Sequence, residues 1–310
     1  MQHVKPTVVV IVGATGSGKS DLAVALAREF GGEIICADSR TIYREMDIGT
    51  AKLTESNPPP PAPPHHLLDI RNPDERYSVA EFKEDAERCI RDIAARGKVP
   101  IVVGGTMLYI RALVDNFDCA RVAADPKRRE ELAAMSLEQL REVLHARDPH
   151  AAAVVDVVNK RRVIRAIETV EQTGAPLAQA RGVGEPMFDF VQIGLAVDRT
   201  ILRERIAQRT RAMFERGVVD EVRGLVDRYG ADTESLRGVV YRQVSAWLAQ
   251  PSGERDTQEA LAQRINSALY SYARRQLTWF GKDARIRWCN DADAARAVVA
   301  SAIRESAALR

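Results

Sequence analysis

The sequence Gly13-Ala14-Thr15-Gly16-Ser17-Gly18-Lys19-Ser20 follows an apolar run at residues 8–12 and precedes an alanine-rich segment with helical spacing. Strand, glycine-rich loop and helix in this order form the context in which G-x-x-x-x-G-K-[ST] acts as a P-loop. The glycines let successive backbone N–H groups point at one anion, and Lys19 places an ammonium beside it. Ser20 is left to hold Mg²⁺. The stretch therefore predicts a diphosphate-binding site, whether or not that diphosphate belongs to a nucleotide.

The composition is that of a large globular protein. With 310 residues, 45% of them hydrophobic and 28% charged, the chain can hold one large α/β domain and a smaller one. The apolar run before Gly13 is too short for a signal peptide or a membrane span, so we expect a cytoplasmic protein. Cys36, Cys89, Cys119 and Cys289 lie far apart without a C-x-x-C, which predicts small buried side chains rather than disulfides or a zinc site.

Residues 33–37 and 100–103 predict two further buried strands. The first delivers Asp38 and Ser39 at its carboxyl end, and the second ends in Gly104-Gly105-Thr106. Helical spacing between the strands predicts right-handed β-α-β units and a parallel sheet. Because ligands of open α/β sheets bind beyond the carboxyl ends of the strands, we expect the P-loop, Asp38 and Thr106 to meet at one edge.

The spacing changes from about residue 115. Residues 127–180 have helical spacing and no candidate strand, and the sheet resumes at residues 190–197. Further on, the pattern predicts helices in most of 200–228, 235–248 and 258–279, and a last short strand near 285–288. We therefore predict an α/β fold: a P-loop NTPase-like parallel sheet core at residues 1–115 and 186–310, with an all-α insertion domain at residues 116–185 and C-terminal helices.

Two features precede the third strand. The proline-rich residues 57–64 predict a stiff extended loop. The adjacent His65 and His66 do not share a helix face and have no Cys or further His at ligand spacing, so we predict no metal site there.

The net charge of +2 conceals a strong bias toward arginine, which supplies 37 of the 45 basic residues. Residues 199–216 hold six arginines against two glutamates, and residues 274–287 hold five basic residues against one aspartate. Arg161 and Arg165 share one face of a predicted helix. Local excesses of arginine predict contacts with a phosphate backbone. The alternative is that these segments are solvated helix faces.

Seven segments together resemble the bacterial tRNA dimethylallyltransferase (tRNA isopentenyltransferase) family. They are GATGSGKS at residues 13–20, ADSRTIY at 37–43, DIGTAK at 47–52, HHLLDI at 65–70, GGTMLY at 104–109, KRRVIRAIE at 160–168 and RRQLTWF at 274–280. Apart from the P-loop each is weak alone, but seven in the right order over nearly the whole chain are highly specific.

The resemblance implies an enzyme that transfers a dimethylallyl group from dimethylallyl diphosphate to N6 of the adenine at position 37 of tRNA, just 3′ of the anticodon, using Mg²⁺. It also implies a P-loop core with a helical insertion. The expected partners are the tRNA anticodon stem-loop and dimethylallyl diphosphate, with no membrane, and we expect a monomer.

Three residues are the expected catalytic groups. The adenine N6 must lose a proton as the C–N bond forms, and the resemblance assigns the general-base role to Asp38; a helix cap or a water-mediated Mg²⁺ contact is the alternative. Thr106 matches a residue that contacts the bridging oxygen of the leaving group, although it also suits a polar strand end. Lys19 and the loop amides would stabilise the departing diphosphate.

The remaining expected contacts are with diphosphate and tRNA. Arg205 and Arg209, one helical turn apart, either close over the diphosphate or contact tRNA. By resemblance the tRNA contacts are Asp38, Ser39, Arg40, Thr41, Thr106, Arg129, Arg161, Arg162, Val163, Ile164, Arg165, Arg237, Gly238, Val239, Val240, Tyr241, Arg242, Arg274, Arg275, Gln276, Leu277, Thr278, Trp279 and Phe280. Trp279 and Phe280 equally suit buried helix anchors.

Two positions depart from the family pattern, in which Gln is common where this chain has Thr41 and Gly where it has Val240. The alternative functions are a P-loop kinase, an adenylate isopentenyltransferase that uses a free nucleotide, and a non-catalytic RNA-binding protein. The absence of a short arginine-rich lid disfavours the kinase. The helical insertion and the basic C-terminal helices disfavour the free-nucleotide enzyme, and Asp38 with Thr106 at one edge disfavours the non-catalytic protein.

Overall fold

The computed structural model describes residues 5–52, 62–117, 125–180 and 184–308. The strands are β1 (Thr7–Val12), β2 (Gly32–Cys36), β3 (His65–His66), β4 (Val99–Val103), β5 (Asp189–Leu195) and β6 (Arg287–Cys289). The helices are α1 (Lys19–Phe30), α2 (Val79–Ala95), α3 (Met107–Val114), α4 (Pro126–Ala134), α5 (Leu137–Arg147), α6 (Lys160–Thr173), α7 (Leu177–Ala180), α8 (Arg199–Glu215), α9 (Val218–Tyr229), α10 (Val239–Leu248), α11 (Gln258–Phe280) and α12 (Ala292–Ala308). The chain divides into two compact units, residues 1–110 with 187–310, and residues 111–186.

The first unit is built on one parallel sheet in the order β3-β2-β4-β1-β5-β6. The valine- and isoleucine-rich β1 and β4 are buried, as both-face coverage of a parallel sheet requires. The strands predicted at 33–37, 100–103 and 190–197 are confirmed within one or two residues. The two-residue edge strand β3 was not predicted, because so short a strand leaves no period in the sequence.

Helices cover the sheet and build a second core beside it. One face of the sheet packs against α1 and α12. Helices α8 to α11 form a separate apolar cluster that includes Ile206, Val222, Val244 and Leu269. Helix α12 was not predicted, because its stripe is mostly alanine and it buries only Ala295 and Val299. No helix in the described ranges has the length and apolar run that a membrane crossing needs.

The second unit is helical, with α4 to α7 around a core of its own. In α6 the side chains of Val163 and Ile164 lie in that core, at 0% and 8% exposure. Glu168 on the same helix is also buried. Its carboxylate accepts two hydrogen bonds from Arg129, at 2.8 and 2.7 Å, and one from Arg165 at 3.5 Å. The α6 sequence therefore turns its apolar face inward and keeps Arg161 and Arg162 exposed.

The histidine pair forms the edge strand β3, beside Ile34 and Ile35 of β2. His66 Nε2 contacts the Glu33 carboxylate at 2.8 Å, and His65 Nδ1 lies 2.8 Å from the Pro63 carbonyl oxygen. Glu33 is 2% exposed and also accepts from Arg96 and Lys98. These hydrogen bonds hold the pKa of Glu33 well below its usual range, with Arg96 the largest cause. His66 therefore contacts a buried carboxylate and His65 a backbone carbonyl, and the described residues contain no cluster of His, Cys, Asp or Glu suited to a metal ion.

The cysteines follow the expectation of buried side chains in part. Cys36 and Cys289 are buried free thiols, and Cys89 is half-buried. Burial raises the pKa of Cys36 to about 12, so it is a thiol at neutral pH. Cys119 lies outside the described residues, as do residues 57–61 of the proline-rich segment.

Candidate active site

The P-loop connects β1 to α1 as the sequence predicts. Gly18 precedes α1 with φ 89°, and Lys19 opens the helix. The Lys19 ammonium donates to the Ala14 carbonyl at 3.2 Å. A Cβ at Gly13 would lie 2.8 Å from Ser17 Oγ, so a larger residue there would displace the Ser17 hydroxyl. Ser17 Oγ is itself buried without a hydrogen-bond partner in the described residues, which leaves a donor inside the loop.

Gln276 fixes the P-loop to the loop that follows β4. Its side chain is 2% exposed, Oε1 accepts from the Thr15 N–H at 2.8 Å, and Nε2 donates to the Gly105 carbonyl at 2.8 Å. Gln276 is the polar member of the buried stripe of α11. It was predicted as a tRNA contact, but the structure places it between two loops of the site. No sequence spacing alone pairs positions 261 residues apart.

Asp38 and Thr106 meet at the carboxyl ends of β2 and β4. Thr106 Oγ1 accepts from the Ser39 N–H at 2.9 Å, and the Thr106 N–H donates to the Ala37 carbonyl at 3.3 Å. Asp38 Oδ1 accepts from the Arg40 N–H at 2.9 Å. Its other oxygen has no hydrogen bond within the described part of the chain. The half-buried Asp38 thus keeps one carboxylate oxygen for a ligand.

Lys19, Arg209 and Asp38 act on one another electrostatically. The pKa of Lys19 is lowered to about 8, first because burial disfavours its charge and then because Arg209 repels it, while Asp38 raises it. Burial likewise lowers the pKa of Arg209, and Asp38 opposes that change. Two cations held close together without a full counter-charge form a site suited to an anion.

A cleft of about 740 Å³ opens beside the P-loop. Its lining includes residues 16–22 of the P-loop and α1, residues 195–198 after β5, Ile201, Arg205 and Arg209 of α8, and residues 290–292 after β6. Arg205 Nη1 donates to the Ser17 carbonyl at 3.2 Å, and Arg209 Nη1 donates to Thr15 Oγ1 at 3.2 Å. These two hydrogen bonds place both arginines against the P-loop, although the sequence left open whether they face diphosphate or tRNA. Asp38 and Thr106 do not line this cleft.

Glu221 was missed by the sequence analysis. Its carboxylate on α9 accepts from the backbone N–H groups of Asp47, Ile48 and Gly49 and from the Tyr241 hydroxyl. The DIGTAK segment at residues 47–52 therefore contains a turn whose consecutive N–H groups bind the Glu221 carboxylate. The segment has no period, so nothing in the sequence points to a partner on a distant helix.

Lys52 closes the same turn. Its side chain is 2% exposed, and its ammonium donates to Asp47 Oδ1 and Asp69 Oδ1 at 2.6 Å each and to the Tyr43 carbonyl at 2.7 Å. It thereby joins the loop after β2 to the loop after β3. Both loops belong to segments that carry the family resemblance, DIGTAK at residues 47–52 and HHLLDI at residues 65–70, and the Lys52–Asp69 ion pair connects them.

The predicted tRNA contacts separate into exposed and buried residues. The exposed ones include Arg237, Arg242, Arg274, Arg275 and Thr278. A second cleft of about 360 Å³ is lined by residues of α11 that include Trp279, and by Lys282 just after the helix. The side chains that are buried, and so are not placed to contact RNA directly, are Val163, Ile164, Val240, Tyr241, Gln276 and Phe280. Val240, one of the two departures from the family pattern, lies in the apolar cluster of α8 to α11.

Other predicted contacts are engaged within the protein. The Arg40 guanidinium donates to the Glu234 and Ser235 carbonyls at 3.0 Å each, and so holds the short 3₁₀ helix Glu234–Arg237. Gly238 packs beside the Arg40 side chain. Thr41 Oγ1 is buried without a partner in the described residues. Val239 and Leu277 are half-buried members of the apolar cluster of α8 to α11.

The residues present fit a magnesium ion that a diphosphate brings with it. Mg²⁺ binds oxygen donors and keeps several waters, so one or two protein ligands suffice. Side chains with an oxygen atom that could bind the metal line the cleft at Ser17, Ser20, Asp21, Asp198, Asn290 and Asp291. Ser20 follows the P-loop lysine, the position that holds the metal in a P-loop.

Comparisons with known proteins place this geometry in a family. The IPP transferase family matches residues 41–283, and the isopentenyl transferase family matches residues 6–57. A tRNA dimethylallyltransferase from Rhodococcus jostii is 42% identical, with 93% of each chain covered. The chain belongs to the IPP transferase family of tRNA dimethylallyltransferases.

Solved structures of the family share the fold. The tRNA isopentenylpyrophosphate transferase of Bacillus halodurans has a TM-score of 0.71 and 35% identity, with 98% of this chain and 99% of that one covered. A eukaryotic dimethylallyltransferase acting on tRNA has a TM-score of 0.75 and 26% identity, with 92% and 74% covered. As a tRNA dimethylallyltransferase family member, this chain is an enzyme of the prenyl-transfer class.

Proposed function

We propose that the protein transfers a dimethylallyl group from dimethylallyl diphosphate to N6 of the adenine at position 37 of tRNA. The products are the N6-dimethylallyl adenosine in tRNA and diphosphate. The observation that carries the proposal is the convergence of the P-loop, Asp38 and Thr106 at one end of the sheet in a member of this family. We further propose that the protein is a monomer that acts in the cytoplasm.

The acceptor side of the reaction belongs to Asp38. The N6 lone pair is delocalised into the adenine ring, so the amine attacks the donor carbon only as its proton is removed. Asp38 has one oxygen bound to the Arg40 N–H and a second without a hydrogen bond in the described residues, and that second oxygen takes the proton. Thr106, oriented through Ser39, donates its hydroxyl hydrogen to the bridging oxygen of the leaving group.

The donor side belongs to the P-loop. As the bond between carbon and oxygen breaks, negative charge grows on the diphosphate. Lys19 and the arginines of α8 already lie against the P-loop, so stabilising that charge requires little reorganisation. When bound, Mg²⁺ held by Ser20 neutralises part of the diphosphate charge.

The acceptor adenine lies in an anticodon loop and has to be extruded to reach Asp38. Exposed arginines on α6, α10 and α11 are suited to the phosphates, and the half-buried Trp279 offers a ring for an unstacked base. The buried Tyr241, Gln276 and Phe280 act through the fold instead.

One assay separates the candidate functions. The purified protein is incubated with dimethylallyl diphosphate, Mg²⁺ and either unmodified tRNA, AMP or ATP. We expect transfer to tRNA alone, and none when EDTA removes the metal. Transfer to AMP would indicate a free-nucleotide enzyme, phosphate transfer from ATP would indicate a kinase, and tRNA binding without transfer would indicate a non-catalytic protein. Light scattering of the same sample measures the oligomeric state.

A further inference from the structure

The Glu221 carboxylate of α9 binds the turn at residues 47–50 from outside. Glu221 Oε2 accepts from the Asp47 and Ile48 N–H groups at 3.0 and 2.6 Å. Glu221 Oε1 accepts from the Gly49 N–H at 2.9 Å and from the Tyr241 hydroxyl at 2.8 Å. The carboxylate thus accepts four hydrogen bonds, and three of their donors belong to consecutive residues of the turn.

The other side of this turn orients an arginine of the cleft. The Thr50 carbonyl accepts from Arg209 Nη2 at 2.6 Å, while Arg209 Nη1 donates to Thr15 Oγ1 of the P-loop at 3.2 Å. Arg209 Nε is buried without a partner in the described residues, and Arg209 lines the cleft. The guanidinium is therefore held at two points and keeps a donor for an anion.

The turn has internal hydrogen bonds, from the Lys52 N–H to the Asp47 carbonyl and from the Ala51 N–H to the Ile48 carbonyl at 3.0 Å each, but the residues that flank it are strained. Ala51 has φ 48° and Glu45 has φ 62°, in the left-handed region that costs free energy for residues other than glycine. Gly49 lies against the Tyr241 ring, where a Cβ would come within 2.7 Å. A turn with strained flanks and no regular secondary structure depends on contacts from other elements: Lys52 ties it to Asp69, and Glu221 binds its three consecutive N–H groups.

We propose that Glu221 is a positioning residue that sets the affinity for the donor diphosphate. It fixes the turn whose Thr50 carbonyl holds Arg209 against the P-loop, and it does not itself line the cleft. The inference rests on the proposed function, in which the P-loop and α8 enclose the diphosphate.

The test measures binding of inorganic pyrophosphate with Mg²⁺ by calorimetry, so it does not depend on activity. Glu221→Gln exchanges acceptor capacity for an amide N–H₂, and we expect affinity to fall about 5- to 30-fold. Asp220→Asn, on the neighbouring and exposed residue of α9, is the matched control and leaves affinity unchanged. In transfer assays the KM for dimethylallyl diphosphate rises, whereas the KM for tRNA does not. Equal pyrophosphate affinity in Glu221→Gln and the wild type overturns the inference.

A double-mutant cycle tests the route through Arg209. In an Arg209→Met background, Glu221→Gln should change pyrophosphate affinity by less than about twofold, because its target is already gone. Additive losses would show that Glu221 acts otherwise, and the inference would be wrong. If Glu221→Gln fails to fold, Thr50→Val loosens the same turn by replacing with a methyl group the hydroxyl bound to the Met46 carbonyl at 2.6 Å, and an unchanged pyrophosphate affinity then overturns the inference. A wild-type protein that does not bind pyrophosphate would overturn the proposed function itself.

Discussion

At the scale of single residues, Asp38 decides whether the chemistry is as proposed. Asp38→Asn keeps the shape and the contact with the Arg40 N–H, but an amide cannot accept the N6 proton. We expect the rate of a single turnover, with saturating donor and tRNA, to fall by about 10²- to 10⁴-fold. The separate affinities for donor and tRNA should change by only a few-fold. Near-normal turnover, or loss of Mg²⁺-dependent donor binding, would give Asp38 a structural or metal-associated role.

Lys19 makes donor binding depend on pH. Its pKa is lowered from 10.5 to about 8, so in the free protein the ammonium is present below that pH and is lost as pH rises through it. We expect the affinity for dimethylallyl diphosphate, measured without tRNA between pH 7 and 9.5, to fall above about pH 8 by up to about tenfold per pH unit. Lys19→Met should bind weakly and without this pH dependence. A wild-type affinity that stays constant to pH 9.5 contradicts the assignment.

Residues of this site differ in how far the sequence predicts them. Lys19 and Ser20 follow from a local motif, and Asp38 and Thr106 follow from their places after buried strands. Gln276 and Glu221 could not be predicted in this way, because each acts through hydrogen bonds to loops far away in the chain. Resemblance identified Gln276 as a tRNA contact, since a family motif records that a residue matters without recording what it touches.

At the scale of elements, the edge of the sheet depends on close approach between loops. A Cβ at Gly105 would lie 2.2 Å from Gln276 Nε2, so Gly105→Ala should displace Gln276 and release the Thr15 N–H. We expect the KM for dimethylallyl diphosphate to rise and the free energy of unfolding to fall by about 1–3 kcal/mol.

The matched control for this change is Gly224→Ala in the exposed middle of α9, where an added Cβ meets nothing within 4 Å. It should raise the free energy of unfolding by about 0.5–1 kcal/mol, because alanine favours helix over glycine, and leave KM unchanged. A Gly105→Ala protein with the KM of the wild type would show that Gln276 does not position the P-loop.

The elements themselves were predictable where burial leaves a strong pattern. Strands β1, β2, β4 and β5 read as apolar runs because a parallel sheet is buried on both faces. The edge strand β3 and the alanine-rich α12 bury too few large side chains to produce a recognisable hydrophobic pattern in the sequence.

At the scale of the whole molecule, a net charge of +2 leaves tRNA affinity to local groups of arginines. The sequence suggested Arg161 and Arg165 together, but Arg165 contacts the buried Glu168, so Arg161 and Arg162 are the exposed pair on α6. Arg162 keeps a surface ion pair with Asp156 at 3.1 Å, which is worth little. Amphipathic patterning predicted the helix, and only the fold shows which of its arginines the buried acid engages.

The double variant Arg161→Gln, Arg162→Gln tests this surface. Phosphate contacts release counterions without reading bases, so affinity should fall alike for every tRNA, and the slope of log affinity against log salt should become shallower by about 1–2. Arg88→Gln, which removes a comparably exposed arginine from α2, should leave the slope unchanged. The measurement is tRNA affinity at several salt concentrations for two or more tRNAs. An unaltered slope would mean that these arginines are solvated, whereas a loss confined to one tRNA would mean that they read sequence.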